Sequence, residues 1–464
     1  MTDFTAVILA AGEGTRMKSD TPKVLHKVCG MTMLGHVINA ARKAGASKVT
    51  VVVGRGADEI KRAFEGQNIE FAIQTEQKGT GHALMQAKEA VRGSSLLMVL
   101  YGDMPLVTAE SIAAMVKFYR ERKPAATVMT ARVQDPTGYG RIIRDGDRVT
   151  AIREEKDASP EEKAITEINS GFYCFDGALV FEALSKVKND NRQGEYYLTD
   201  VVEIFNNEGR DVLAFEIGDP LELSGINDRR QLAYAQGIMQ RRIIEHWMRE
   251  GVTFINPDTC IVDVNVKIGR DTVIYPGVFL EGGTQIGEGC TVIGSSRIKD
   301  SEIGNYVEIV MSQIQESIIG DGVKIGPFAN LRPGCHISEG AKIGDFVELK
   351  NAKVDTGSKV PHLSYVGDAV IGKKVNIGAG TIFVNFDGYK KHQTVVEDGA
   401  FIGCNSNLIA PVTIKSGSYV AAGSTITYEV PADSLAIARA RQENKIGWAE
   451  KRKKKIEGGN QKNG

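Results

Sequence analysis

Ile319 to Leu349 reads IGDGVKIGPFANLRPGCHISEGAKIGDFVEL, with aliphatic residues at Ile319, Ile325, Leu331, Ile337, Ile343 and Leu349. One aliphatic residue in every six, without a break, fits neither a heptad nor a 3.6-residue helix. It describes a short flat strand and a turn repeated around a prism, one inward side chain per face. The same period recurs at Ile268, Ile274, Leu280, Ile286 and Val292, and again at Ile402, Leu408, Ile414, Val420 and Ile426. Glycine follows the aliphatic residue in Ile268-Gly269, Ile286-Gly287, Ile303-Gly304, Ile325-Gly326, Ile343-Gly344, Ile371-Gly372, Ile377-Gly378 and Ile402-Gly403, as at a backbone needing unusual dihedrals. The pattern from Gly251 on is a hexapeptide-repeat parallel β-helix, a solenoid that buries its core only by stacking coil on coil. The period breaks at Phe383 to Gln393, FVNFDGYKKHQ, which is expected to project as a loop from one face.

Upstream the text changes. TAVILAA, VTVVVG, FAIQT and LLMVLYGD are short β-branched or apolar runs, separated by helical stretches through His36 to Lys43 and around Ile60. This alternation predicts an α/β domain with a mostly parallel, Rossmann-like sheet over residues 1–227, with ligands at the carboxyl ends of the strands. DRRQLAYAQGIMQRRIIEHWMRE spaces Leu232, Ala235, Met239, Ile243 and Trp247 three or four apart, so residues 228–250 read as a linker helix. Residues 251–464 hold the repeats and a polar basic tail, in which Lys451-Arg452-Lys453-Lys454-Lys455 reads as a solvated, partly disordered end.

The 464 residues are enough for two or three domains. A net charge of −1 leaves no global field for nucleic acid or a membrane surface, so an anionic ligand has to be met by local groups. The start, MTDFTAVILAAGEG, has only about seven apolar residues and no basic lead, so it reads as a buried strand rather than a signal peptide. No stretch approaches the ~18 apolar residues of a membrane span. Cys29, Cys174, Cys260, Cys290, Cys335 and Cys404 lie far apart with no Cys-x-x-Cys pair, which argues against zinc and a disulfide framework and for a reducing cytoplasm.

In Leu9-Ala10-Ala11-Gly12-Glu13-Gly14-Thr15-Arg16-Met17 a glycine-rich loop joins a strand to a helix, and Arg16 and Lys23 bring two cations to backbone N–H groups suited to phosphate. The third glycine of a dinucleotide fingerprint and the Gly-Lys-Ser/Thr of a P-loop are both missing. Asp103, ending the strand LLMVLYGD, can hold a magnesium ion or cap a turn. Of the histidines in the repeats, His336 sits beside the inward Ile337 and reads as a surface residue, and His392 lies in the inserted loop. His362, in GSKVPHLSYVGDA, is open between a surface histidine and a proton acceptor. With three hexads per turn, Arg332, Lys350 and Asp368, spaced by 18, would stack on one side of the prism.

The string Leu-x-Ala-Gly-x-Gly-x-Arg-Met followed by Pro-Lys resembles the nucleotidyltransferases that join nucleoside triphosphates to sugar phosphates. With FANLRPG, DFVELKNA, HLSYVGDA, VNIGAGTI, NFDG and IAPV, the whole chain resembles the bifunctional N-acetylglucosamine 1-phosphate uridyltransferase/glucosamine 1-phosphate N-acetyltransferase family. The resemblance implies a left-handed β-helix, a homotrimer, and substrates UTP, glucosamine 1-phosphate, N-acetylglucosamine 1-phosphate and acetyl-coenzyme A. It implies an N-terminal site of Leu9, Ala10, Ala11, Gly12, Lys23, Gln74, Gly79, Thr80, Tyr101, Gly102, Asp103, Gly140, Glu154, Asn169 and Asn227. Within it Arg16 and Lys23 neutralise charge, the segment with Gln74, Gly79, Thr80 and Gly81 reads the uracil and lies along the nucleotide, and Asp103 and Asn227 hold magnesium. It implies His362 as the acetyl-transfer base, Arg332, Lys350, Tyr365 and Asn376 as sugar-phosphate contacts, and Asn385 as a substrate contact. Ala379, Phe386, Cys404, Ala422 and Arg439 fall with Asn385 at acetyl-coenzyme A positions. Phe386 stands where tyrosine is usual and Cys404 where serine can occur, so a hydroxyl is lost at each. The product, UDP-N-acetylglucosamine, would feed bacterial cell-envelope polymers. Two alternatives are a single-function nucleotide-sugar pyrophosphorylase with a structural or regulatory β-helix, and an inactive scaffold. Neither accounts for Arg332, Lys350, His362, Tyr365 and Asn376 together with Lys23 and Asp103.

Overall fold

The computed structural model describes residues 4–460. They form two compact units: residues up to His246 with Val262–Val264, and Trp247–Ile261 with the residues from Asn265 on.

The first unit is built on a nine-stranded sheet in the order Glu70–Ile73, Ala46–Val53, Phe4–Ala10, Leu96–Tyr101, Glu167–Asp176, Ala126–Arg132, Val212–Glu216, Arg148–Arg153, Gly140–Asp145. The first four strands run parallel, and Glu167–Asp176 runs antiparallel to both its neighbours. All seven residues of Phe4–Ala10 are buried. Their period of two divides them between two cores: Ala6, Ile8 and Ala10 pack with Leu34, Val37 and Ile38 of the helix Met33–Lys43, while Val7 and Leu9 pack with Leu84, Val201 and Phe205. A sheet covered on both faces leaves its strand ends as the place for a ligand, and the order reverses between Phe4–Ala10 and Leu96–Tyr101. The helix Arg229–Arg249 buries Gln240, whose Oε1 accepts from Val262 N at 3.2 Å and whose Nε2 donates to Val262 O at 3.3 Å.

The second unit is the expected β-helix. One face is an eleven-stranded parallel sheet, and the other two are joined in a seventeen-stranded one. Ile319, Ile325, Leu331, Ile337, Ile343 and Leu349 are all at most 2% exposed. Each such residue contributes about 1.5–3 kcal/mol when fully buried. The coil length is not constant: Ile325 pairs with Ile343, Ile343 with Val360 and Ile377 with Ile402, so the step passes from 18 to 17 to 25 residues.

Three expectations change here. The glycines after the inward aliphatics, Gly326 apart, do not have positive φ. They are glycines because stacked corners approach too closely for a side chain: a methyl group on Gly344 would lie 1.7 Å from Pro361 O. Gly344→Ala should therefore cost about 3 kcal/mol and lower the melting temperature by ~5–10 °C, as a thermal melt would register. An unchanged melt would refute the close-packing account. The insertion begins later than expected, because Phe383 is fully buried opposite Leu408 and only Asn385 onward leaves the coil. It is also well structured: Asp387 Oδ1 accepts from Tyr389 N and Lys390 N, each at 2.8 Å, and Asp387 Oδ2 meets His392 Nε2 at 2.6 Å. Finally, the basic tail forms an exposed helix, Trp448–Asn460, with an i,i+4 ion pair between Glu450 and Lys454 at 2.7 Å.

Candidate active sites

A cleft of about 270 Å³ opens at the carboxyl ends of the parallel strands of the first unit. Leu9, Ala10, Ala11 and Gly12 line it from the first strand, Gln74, Gly79 and Thr80 from the segment after Glu70–Ile73, and Tyr101 and Asp103 from the third, with Lys23 at one side. The segment 74–82 is held by bonds the sequence did not reveal. Gln77 Nε2 donates to Ala11 O at 2.8 Å, Gly81 N to Tyr196 O at 2.8 Å, and Leu198 N to Thr80 Oγ1 at 3.1 Å. The stretch of residues 196–200 thus docks this segment. Gly79 adopts φ +102° with Tyr196 O only 2.7 Å from where a Cβ would be, so only glycine fits there. Buried Gln74 spends its Nε2 on Gly79 O at 3.2 Å and on His82 Nδ1 at 3.1 Å, which leaves its carbonyl oxygen as the acceptor for a ligand N–H.

The Lys23 ammonium bridges Asp103 Oδ2 and Asn227 Oδ1, the latter at 2.9 Å. Two oxygens from distant points of the chain therefore already converge on one cation. Asn227 is held in place by its neighbour Ile226, whose N donates to Asp103 O at 3.0 Å, and by Gln231 Oε1, 2.7 Å from Asn227 N. A carboxylate and an amide oxygen are hard donors that suit magnesium with phosphate and water completing its shell. Arg16, by contrast, is exposed on the turn Thr15–Met17 and does not line the cleft. Of the two cations read from the glycine-rich loop, only Lys23 stands at the site.

Away from Lys23 the charge reverses. Gly140 pairs with Asn169 across adjacent strands, and a methyl group on Gly140 would come within 3.4 Å of Glu154 Oε1, so the three meet. Burial first, and then Asp157, Asp200 and Glu195, raise the Glu154 pKa. Burial also pushes Asp200 to about 6, with Glu203 and Asp190 adding to it. Such an acidic wall repels phosphate and accepts hydrogen bonds from hydroxyl groups. A ligand with a phosphate end and a polyol end is oriented by the two together.

On the β-helix, Asp345 pairs in register with His362, and its carboxylate oxygen contacts the His362 Nδ1. Lys359 pairs with Asn376 and Ile377 with Ile402, so the corner of His362 continues through Ala379 and Cys404. Ile402 pairs with Val420, which brings Ala422 next, and Arg439 approaches the neighbouring Gly423. The side chains that follow the histidine along this corner are small. On the adjoining face, Lys391 beside Lys350, and then Arg332, lower the Lys350 pKa, so three cations converge where an anion is favoured. Asn385 Nδ2 donates to Asp368 Oδ2 at 2.5 Å, and both Asn385 and the Tyr365 hydroxyl lie against Gly367. The expected stacking of Asp368 on Lys350 does not occur. The coil there is one residue short, so Lys350 pairs with Gly367 and Asp368 turns to Asn351 and Asn385.

Residues 6–192 match the MobA-like NTP transferase domain, and residues 316–351 and 393–428 match the six-repeat bacterial transferase hexapeptide. Bifunctional protein GlmU of Alkaliphilus metalliredigens is 52% identical over 444 residues, covering 96% of this chain and 97% of its own. The chain belongs to the GlmU family. GlmU proteins of Brevibacillus brevis and Clostridioides difficile are each 50% identical, over 98% of this chain and 99% of theirs. Against that family frame, Leu9, Ala10, Ala11, Gly12, Lys23, Gln74, Gly79, Thr80, Tyr101 and Asp103 line the cleft, Asn227 joins it through Lys23, and Gly102, Gly140, Glu154, Asn169 and Arg16 lie outside its lining, while His362, Ala379, Cys404 and Ala422 follow one another along the corner. Phe386 lies on the hairpin side of Asn385, bridged to Lys391 and 56% exposed. Lys391, Asp345, Gln77 and Glu195 were missed. Asp345 carries a signal visible only once the coil step there is known to be 17 residues.

Proposed function

We propose that this GlmU-family chain acetylates glucosamine 1-phosphate at the β-helix corner and joins the N-acetylated product to UTP in the N-terminal cleft. UDP-N-acetylglucosamine and pyrophosphate are then the final products. The functional division follows as residues 1–227 for uridylyl transfer, 228–250 for the connecting helix and 251–464 for acetyl transfer.

In the cleft, the Gln74 carbonyl accepts the uracil N–H, and the backbone of Leu9–Gly12 and Lys23 receive the phosphates. Glu154, Asn169 and Gly140 take the sugar hydroxyls and acetamide. An oxygen of the sugar phosphate attacks the α-phosphorus, a P–O bond forms, and the bond to pyrophosphate breaks. No general base is needed, because the attacking phosphate is already ionised at neutral pH. The protein's work is positioning and charge neutralisation. Asp103 and Asn227 would hold Mg²⁺, which adds positive charge next to the phosphates.

At the corner, His362 accepts a proton from the substrate ammonium, and the freed amine attacks the thioester carbonyl of acetyl-coenzyme A. The C–N bond forms, the C–S bond breaks, and coenzyme A leaves as the thiol. Arg332 and Lys350, with Lys391 beside them, hold the sugar phosphate. Tyr365, Asn376 and Asn385 line the sugar. Ala379, Phe386, Cys404, Ala422 and Arg439 face the coenzyme. A homotrimer is supported by the next corner position: Met311, Phe328, Phe346 and Leu363 stand exposed one per coil, Phe328 stacks on Phe346 at 5.2 Å, and Leu363 adjoins His362. A second copy over this ridge would remove apolar surface from water and close the site. Six free cysteines agree with a cytoplasmic setting.

The observation that carries the reading is the His362 corner, with three cations on the adjoining face, in a chain whose other unit holds the Lys23, Asp103 and Asn227 cluster. The test supplies the full chain with glucosamine 1-phosphate, acetyl-coenzyme A, UTP and magnesium, and follows thiol and pyrophosphate separately. Both should appear, with pyrophosphate depending on prior thiol release. Pyrophosphate only from another sugar phosphate, with no thiol, would leave the β-helix a scaffold and refute the reading.

A further inference from the structure

We infer that Asp345 is a positioning residue for His362: its carboxylate accepts the Nδ1 hydrogen, fixes the tautomer with a bare Nε2, and stabilises the imidazolium formed when that Nε2 takes the substrate proton. This rests on His362 being the acetyl-transfer base.

Asp345 and His362 occupy the same position on successive coils, joined by a parallel pair that also aligns Ile343 with Val360. Backbone register therefore fixes their separation, and no flexible loop has to bring them together. Leu363 N donates to Asp345 O at 2.9 Å, and the Ser364 hydroxyl to His362 O at 2.8 Å, which ties the histidine backbone on both sides. The Asp345 pKa is lowered, first by the hydrogen bond from His362, so the carboxylate is ionised at neutral pH. An anionic acceptor on one ring nitrogen makes the other the basic one, and the pair spreads the new positive charge. The other titratable groups on the elements beside His362 are Lys342 on the preceding coil and Lys359 and Tyr365 on its own. Asn376–Ile377 on the next coil carries none. Lys342 acts on Asp345 and lowers its pKa further.

The experiment measures acetyl transfer against pH for the full chain and for Asp345→Asn, Asp345→Ala and His362→Ala, with uridylyl transfer as the control for folding. Asp345→Asn keeps an oxygen acceptor but no charge. Its acid limb should move down by about one pH unit, since the imidazolium has lost its counter-charge, and its plateau kcat should fall roughly three- to tenfold. KM for glucosamine 1-phosphate should stay within about twofold, because no substrate contact is removed. Asp345→Ala, without any acceptor, should fall further. If His362→Ala is inactive and the Asp345→Asn profile superimposes on that of the unaltered protein, the positioning role is refuted while the base assignment stands. If His362→Ala retains full acetyl transfer, the base assignment fails, and this inference with it.

Discussion

Replacing His362 with alanine is expected to lower acetyl transfer by ~10²–10⁴ and to leave uridylyl transfer unchanged. The amine of glucosamine 1-phosphate is mostly protonated at neutral pH, and nothing else along the corner from Ala379 to Ala422 offers a base. Beyond His362 in that direction the next ionisable group on the corner is Cys404, a full coil past Ala379, exposed. The side chain of His362 is 54% exposed and packs into no core, so alanine removes chemistry and little stability. Parallel thiol and pyrophosphate assays would decide it. Loss of both activities together would mean that the two sites are not independent.

Asp103→Ala should do the reverse, reducing uridylyl transfer by about 10²–10³ or more while acetyl transfer continues. The substitution removes one of the two oxygens that converge on the Lys23 ammonium and leaves that cation, 12% exposed, with the neutral Asn227 as its remaining partner. Two losses then coincide: a hard anionic donor for the divalent cation, and the counter-charge that holds Lys23 in position. Asp103→Asn separates them, since it keeps the shape and an oxygen but no charge. It should recover part of the melting temperature and little of the rate. A rate within tenfold of the unaltered protein in Asp103→Ala would show that Asp103 holds no metal in the reaction.

Much of this could be read from the sequence because solenoid geometry is local. Six inward positions named from a period of six are all buried, since each side chain answers only to its place on a face and to neighbours about one coil away. The strand Phe4–Ala10 and the helix Met33–Lys43 were equally plain from β-branched runs and helical spacing. What failed was counting. A fixed step of 18 put Asp368 above Lys350, whereas the coil there is 17, and only the true step aligns Asp345 with His362. The antiparallel insertion of Glu167–Asp176 beside Leu96–Tyr101 leaves no local pattern, because it joins segments some seventy residues apart. Gly140, Glu154 and Asn169 have no distinguishing spacing, so resemblance alone suggested them. Arg16 looked equivalent to Lys23 on the page, yet the Thr15–Met17 turn aims the two cations differently.

The hairpin of residues 385–393 makes the solenoid behave like a thread with a pitch and a phase. Adding one hexad inside a coil would advance every later side chain by a third of a turn and carry Cys404 and Ala422 off the corner of His362. Adding a whole coil would keep the phase and lengthen the solenoid by one strand spacing, ~4.8 Å. The hairpin does neither. It closes on itself through Asp387, returns the chain to the face it left, and lets Ala379 and Cys404 share a corner across a 25-residue step. Loop length at this point is therefore free to vary without re-indexing anything downstream. A change of three or six residues anywhere else between His362 and Ala422 would take His362 and the corner of Cys404 and Ala422 out of step.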